Sequence, residues 1–255
     1  MSLTVLSLFS GIGGLEIGLE RAGMTTVGQV ELDPFCRSIL ARHWPEVPQH
    51  DDVRTAPEWW ASTVRPAVDL VAGGFPCQPF STAGRRRGVA DQRWGWPWME
   101  RVIRLVRPRY VLVENVAALL DDGDAFGWVL RDLAALGFDA QWSVLSACAV
   151  GAPHTRERLF LLAHPHGLDG PPRLGPGHGR PLPRRRGGPH PWPDPIHGLL
   201  ATPPDTSGMA HGVPPELDGP RVRALGNAVV PQVAEHIGHL ICAHDRAHAP
   251  YPAAA

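Results

Sequence analysis

Leu3-Thr4-Val5-Leu6-Ser7-Leu8-Phe9-Ser10-Gly11-Ile12-Gly13-Gly14 runs from a short apolar segment into closely spaced glycines. An apolar run of this length bounded by glycine, Leu3–Phe9, reads as a buried strand. Gly13–Ala22 follows, with Leu15, Ile17, Leu19 and Ala22 as its apolar positions, a loose fit to a helix. A strand that passes through glycines into a helix lets a ligand approach the backbone at the helix N-terminus. Val27–Glu31 is a second strand. Its final Glu31 stands where a carboxylate can accept both ribose hydroxyls of a nucleoside cofactor. Turn and acid together indicate a nucleotide or S-adenosylmethionine; for the glycines alone, a tight turn without a ligand is the plain alternative.

Outward from this stretch, strands and helices alternate. Asp33-Pro34 supplies an N-cap and a proline at the first helical position, which predicts a helix to about His43. Val68–Ala72 and Tyr110–Val113 are apolar strands with a helix over Trp98–Val106 between them. Phe126–Leu136 is a helix stopped by Gly137. Gln141–Ala147 and Leu159–Ala163 are further strands. The alternation predicts an α/β fold with a mostly parallel, doubly wound sheet. From His164 to Pro220 the chain becomes dense in Pro, Gly and His and loses apolar periodicity, so it can bury little core. Order returns at Val222–Leu225, and Pro231 opens a last helix through Ile237, Leu240 and Ile241.

The 255 residues suffice for one sizeable core and a small second lobe, and a composition of 44% hydrophobic and 19% charged residues is globular. A net charge of -1 gives no global basic signature. Any nucleic-acid contact then rests on local patches, with Arg85, Arg86, Arg87 and Arg184, Arg185, Arg186 as candidates. The four cysteines, Cys36, Cys77, Cys148 and Cys242, form no CxxC pair, so neither zinc nor a disulfide framework is expected and a reducing cytoplasm fits. Met1–Phe9 has no basic flank and reads as a strand rather than a signal peptide. No apolar run approaches membrane-spanning length.

Three further segments carry chemistry. Gly73-Gly74-Phe75-Pro76-Cys77-Gln78-Pro79-Phe80-Ser81 begins where a strand ends, at the edge where this architecture binds ligands. A lone cysteine is most often a buried apolar residue; the Pro-Cys-Gln-Pro frame argues instead for a fixed, exposed thiol. Arg85–Arg87 would favour its thiolate if the loop folds toward it. Glu114-Asn115 closes the strand Tyr110–Val113, where partial desolvation raises a carboxyl pKa and suits it to donate a proton. A helix-capping role is the alternative for Glu114. Arg156-Glu157-Arg158 precedes the last strand, and arginines two apart in extended chain point the same way. They can grip a phosphate or a base carbonyl; pairing with Glu157 at the surface is the alternative.

Taken together these pieces resemble the DNA (cytosine-5) methyltransferase family. The order is Phe9-Ser-Gly-Ile-Gly-Gly, Glu31, Asp52-Val53, Pro76-Cys77-Gln78-Pro-Phe-Ser, Asp91-Gln-Arg93, Glu114-Asn115-Val116, Arg156-Glu-Arg158 and Gly226-Asn227-Ala228-Val229-Val230-Pro231. The match covers residues 3–163 and 221–242, and the Pro-Cys-Gln and Glu-Asn-Val pair in this order is its most specific part. The resemblance implies a Rossmann-like methyltransferase fold with S-adenosylmethionine as cofactor. It implies that Phe9 stacks on the adenine, Glu31 holds the ribose, and Asp52 with Val53 meets the adenine edge. Ser10, Gly11, Ile12, Gly13, Gly14, Leu32, Pro76, Asn227 and Ala228 fall on the cofactor side. Cys77 would attack C6 of a flipped cytosine, Glu114 would protonate N3, and Arg158, with Arg156 beside it, would contact the base near O2. Gln78 and Ser81 would join the arginine runs on the DNA side. The chain departs from the family pattern in three places. His154 stands where Gln is usual, Ser7 stands where an acid is common, and the motif before the final Gly-Asn is reduced to Arg221-Val-Arg223-Ala-Leu.

The expected organisation is a catalytic and cofactor-binding domain at 1–163, a short target-recognition region at 164–220, a returning segment at 221–245 and a tail at 246–255. The expected partner is double-stranded DNA, with no metal and no membrane, for a monomer in a bacterial or virus-infected cytoplasm, in a restriction-modification setting. The same chemistry on RNA or tRNA is the main alternative. A modified group placed on C5 from an S-adenosylmethionine derivative is another. An inactive nucleic-acid-binding module is a third, although binding alone needs neither Cys77 nor Glu114.

Overall fold

The computed structural model describes residues 2–76, 94–171, 174 and 215–248. In chain order the elements are β1 (Thr4–Leu8), α1 (Gly14–Arg21), β2 (Thr25–Val30), α2 (Pro34–His43), β3 (Gln49–His50), α3 (Ala56–Ala61) and β4 (Leu70–Gly73). Then come α4 (Trp96–Val106), β5 (Tyr110–Asn115), α5 (Gly123–Ala135), β6 (Phe138–Ser146), β7 (Glu157–Pro165), α6 (Pro215–Asn227) and α7 (Pro231–His248). Among the described residues the seven strands form one sheet in the order β3-β2-β1-β4-β5-β7-β6. The first five run parallel; β7 is antiparallel to both β5 and β6. The expected doubly wound, mostly parallel sheet is therefore found, with an antiparallel pair closing one side.

Alternation along the strands divides the core in two. Leu6, Leu8, Val71, Val111, Val113, Leu159 and Leu161 pack under α3, α4 and α5, with Trp60, Trp96, Met99 and Val129 among their partners. Val5, Leu70, Ala72, Leu112, Phe160 and Leu162 face the other way, toward Leu15 and Leu19 of α1 and Val233, Ala234, Ile237 and Ile241 of α7. Every residue of β5 is buried, as a strand covered on both faces requires. Asp33 caps α2 as its sequence predicts, its Oδ1 accepting from Phe35 N at 2.8 Å and Cys36 N at 3.3 Å.

The described residues just beyond β7 stay on this core. Gln141 Nε2 donates to the Pro171 carbonyl at 2.8 Å, and His244 Nε2 lies 2.6 Å from the Asp169 carbonyl oxygen. Leu174 is buried against the α7 side. Val222–Leu225 falls inside α6. The described cysteines Cys36, Cys148 and Cys242 are free thiols. Among the described residues no helix is long and apolar enough to cross a membrane.

Candidate active site

The strand order reverses between β1 and β4, so their connections leave in opposite directions and open a crevice at the carboxyl edge of the sheet. Phe9-Ser10-Gly11 leaves β1 there, Glu31-Leu32 leaves β2, Asp52-Val53 follows β3, Gly74-Phe75-Pro76 leaves β4, and Glu114-Asn115 ends β5. Residues far apart in the chain thus meet at one edge.

The glycine turn divides its work. Phe9 takes a positive φ of 54°, rare for a bulky side chain, and Gly11 and Gly13 have φ of 56° and 89°. A side-chain carbon at Gly13 would meet the Trp44 ring, and one at Gly14 would collide with the Val229 carbonyl. Those two glycines make room for protein, bringing the segment after α6 onto the start of α1. Gly11 has nothing within 4 Å in that direction and is the glycine that leaves open space. Ile12 is half-buried beside it. Glu31 braces the turn: its Oε2 accepts from Gly11 N at 2.7 Å and its Oε1 from Asp33 N at 2.8 Å. Each oxygen keeps a further lone pair, so the fixed carboxylate can still accept two hydroxyls.

Around it, Phe9 and Val53 are partly buried against the core while Leu32 stands 68% exposed. These apolar surfaces at neighbouring strand ends suit a flat aromatic ligand. Asp52 is clasped by Arg54, with Nη2 at 2.6 Å from Oδ2, which holds its carboxyl below the usual range. Asn227 ends α6 exposed, and Ala228 N donates to the Leu225 carbonyl at 3.2 Å.

The β4–β5 side holds the acid. Glu114 is only 7% exposed, and burial pushes its carboxyl up from 4.5 to about 7 against the opposing pull of Arg158 and Arg156. Arg158 Nε lies 3.2 Å from Glu114 Oε1. Glu157 points to solvent. Arg156 is half-buried, and its buried Nε and Nη2 have no hydrogen-bond partner among the described residues. Arg156 and Arg158 line one shallow crevice with Val229 and Val230. The extended segment therefore brings both guanidinium groups to the site.

Gly74, Asn115 and Trp94 carry signals that sequence reasoning left unused. A side-chain carbon at Gly74 would fall 2.6 Å from Glu114 Oε2, so glycine is what lets the carboxyl lie against the backbone leading to Cys77. Asn115 Nδ2 donates to the Phe75 carbonyl at 3.1 Å, fixing that backbone to the end of β5. Gly95 N donates to the Pro76 carbonyl at 3.3 Å, and the Phe75 ring meets Trp94 edge-on at 5.2 Å. The two ends of the segment 77–93 are thus pinned together beside Glu114. Cys77, Gln78, Ser81, Asp91, Arg93 and Arg85–Arg87 lie outside the described residues, as do Arg184–Arg186.

Sheet order and the polar groups gathered at its carboxyl edge define a class: a Rossmann-like core of the S-adenosylmethionine-dependent methyltransferase type. A family described as C-5 cytosine-specific DNA methylase matches residues 3–175, and the chain belongs to that family. Type II methyltransferase M2.BsuMI of Bacillus subtilis strain 168 is 36% identical over 168 residues, covering 63% of this chain and 42% of its own length. Type II methyltransferase M.AquIA of Picosynechococcus is 34% identical over 181 residues, covering 64% of this chain and 73% of its own. The chain thus spans less than half of the first of these relatives. Among solved structures, the S. pombe Dnmt2 methyltransferase aligns with a TM-score of 0.54 at 25% identity, over 66% of this chain and 52% of that one. A Spodoptera frugiperda DNMT2 variant gives 0.54 at 23% identity over 73% and 54%, a likeness of fold.

Proposed function

We propose that the chain is a DNA (cytosine-5) methyltransferase that moves a methyl group from S-adenosylmethionine to C5 of a cytosine turned out of the duplex. One observation carries this reading. A buried carboxyl that titrates near neutrality, Glu114, sits against the backbone that leads into Pro76-Cys77-Gln78, with two arginines beside it.

The cofactor side fits the donor. Glu31 has lone pairs to spare for a ribose, Gly11 leaves room for a ligand, and Phe9, Leu32 and Val53 offer apolar surface for an adenine. When bound, the donor supplies an electrophilic methyl group on a sulfonium. Asn227 and Ala228 close the cofactor side from the C-terminal end of α6.

On the target side, C5 of cytosine is a poor nucleophile. The Cys77 thiolate adds to C6 while Glu114 gives its proton to N3, which makes C5 enamine-like. Arg158 holds the base near O2. C5 then takes the methyl group and loses its proton to solvent, the C5–C6 double bond re-forms as the Cys77 thiolate leaves, and N3 returns its proton to Glu114. The base must stand outside the stack for Cys77 to reach it. A target-recognition region within 164–220 grips the DNA through Arg184–Arg186, and Gln78, Ser81 and Arg85–Arg87 approach it from the segment after β4.

Incubation with radiolabelled S-adenosylmethionine and cytosine-containing duplex DNA, or RNA of the same sequence, tests the reading. Label is expected on C5 of cytosine in DNA. Label on RNA alone, or none on either, overturns it.

A further inference from the structure

Glu16 lies in the first turn of α1 with its side chain fully buried. Among the described residues neither carboxyl oxygen has a hydrogen-bond partner. Its own backbone N–H, and then the Ser7 and Ser10 hydroxyls from β1 and the glycine turn, favour its charged form without reaching hydrogen-bonding geometry. Burial outweighs them and pushes the carboxyl up to about 7. On its own helix Glu20 adds a small repulsion, and Glu20 is itself held by Trp44 Nε1 at 2.8 Å. From β2, Gln29 pairs in register with Ser7, so it points to the same face; it too is fully buried, with both polar atoms unmet. The α7 side meets α1 at Pro231, Ala234, the Glu235 backbone and Gly238, and Cys242 Sγ lies against the Ala22 carbonyl beyond its far end.

A buried carboxyl without a donor is costly, and among the described residues Gln29 is a second unpartnered polar side chain on the same face of the sheet. The cluster reaches the surface at Ser10, still 7% exposed, next to the open space at Gly11. Ser7 also stands where the family commonly has an acid, so this chain carries its acid on α1 instead of on β1.

We propose that Glu16 is the buried counter-charge for the α-ammonium of S-adenosylmethionine. The proposal rests on the methyltransferase reading above. A cation arriving at Ser10 favours the carboxylate, which accepts charge-assisted hydrogen bonds from the ammonium. The proton that Glu16 carries without ligand leaves to solvent, so binding near neutral pH releases a proton.

Calorimetric titration in two buffers of unlike ionisation enthalpy reads both affinity and proton release. S-adenosylhomocysteine keeps the ammonium and lacks the sulfonium; 5′-methylthioadenosine lacks the whole amino-acid end. At pH 7 the wild-type chain is expected to release protons on binding S-adenosylhomocysteine. Glu16→Gln should abolish that release and weaken this ligand on the order of ten- to a hundredfold, with 5′-methylthioadenosine unaffected. Ser7→Asp combined with Glu16→Gln should recover the affinity. Equal weakening of both ligands would mean a structural role and overturns the proposal, as does unchanged affinity. Should Glu16→Gln fail to fold, proton release by wild type and by Glu114→Gln decides, and its absence from both overturns the proposal. A wild-type chain that binds 5′-methylthioadenosine and S-adenosylhomocysteine equally well overturns this inference alone. One that binds neither overturns the methyltransferase reading with it.

Discussion

At the scale of single residues, the proposed catalysis depends on two groups with opposite needs. Cys77 must be a thiolate, and Glu114 must hold a proton until the adduct forms. Cys77→Ser is expected to abolish methyl transfer while S-adenosylmethionine binding survives, because a serine hydroxyl is a far weaker nucleophile near neutral pH; filter-binding and transfer assays on one preparation check it. Glu114→Gln should lower single-turnover methylation on the order of 10²–10⁴-fold with little change in DNA affinity. The pH profile gives a second check. With Glu114 ionising at about 7, the proton-donating form is lost as pH rises above that value, so wild-type single-turnover rates should fall on the alkaline side and the variant's should lack that limb. Stability follows the same carboxyls. Glu16 and Glu114 ionise at about 7 in the folded chain against an ordinary 4.5. Their contribution is therefore whole below 4.5 and is lost as pH climbs through 7. Denaturant unfolding of the ligand-free protein should show a loss on the order of 3 kcal/mol per carboxyl between those limits. Glu16→Gln should remove its share. Much of this site was legible from residue type and spacing, since Glu31, Glu114, Arg156 and Arg158 all meet at the same sheet edge. Glu16 was not legible, because an acid among the apolar positions of a helix looks like a solvated one until burial is known.

At the scale of elements, helix α1 explains both the success and the weakness of sequence reading. Its apolar spacing fits a helix loosely because it is covered on two sides, by the sheet and by α7, and because Gly14 and Gly18 serve as contact surface. Periodicity measures one-sided burial, and this helix has none to measure. The capped start of α2 was fully legible, since Asp33-Pro34 is a local signal. The two-residue β3 and the six-residue α3 were not, being too short to show a period. β6 starts ahead of its expected apolar stretch because, as the edge strand beside β7, it alternates with solvent. The glycine contacts make a prediction at this scale. A methyl group at Gly18 would strike the Pro231 carbonyl and the Ala234 side chain, so Gly18→Ala should loosen the docking of α7 on α1. Overpacking of this kind costs about 1–3 kcal/mol. Thermal unfolding should show a lower Tm, and hydrogen exchange should rise in α7 ahead of the central strands; an unchanged Tm would mean that the two helices do not depend on this close approach.

At the scale of the whole molecule, chemistry and target choice are expected to separate. The motif-bearing core ends close to where composition shifts to Pro, Gly and His, and α6 and α7 return the chain to the start of α1. Composition revealed that break but no elements within it, so the start of α6 at Pro215 went unread, since a segment rich in Pro and Gly lacks the periodicity from which elements are read. Neutralising Arg184, Arg185 and Arg186 together should weaken DNA binding across all sequences and flatten its salt dependence, while the set of methylated sites stays the same. A changed site preference with an unchanged salt slope would mean that these arginines read bases. Covalent catalysis of methyl transfer to cytosine, on which the whole mechanism turns, is open to a sharper test. Duplex DNA carrying 5-fluorocytosine at the target places fluorine where the departing proton should be, so the Cys77 adduct cannot resolve. After incubation with S-adenosylmethionine, wild-type protein is expected to migrate with the DNA in a denaturing gel, and Cys77→Ser is expected to run free. Full methylation of ordinary cytosine duplex by a protein that forms no denaturation-resistant species with the fluorinated one would contradict a covalent mechanism.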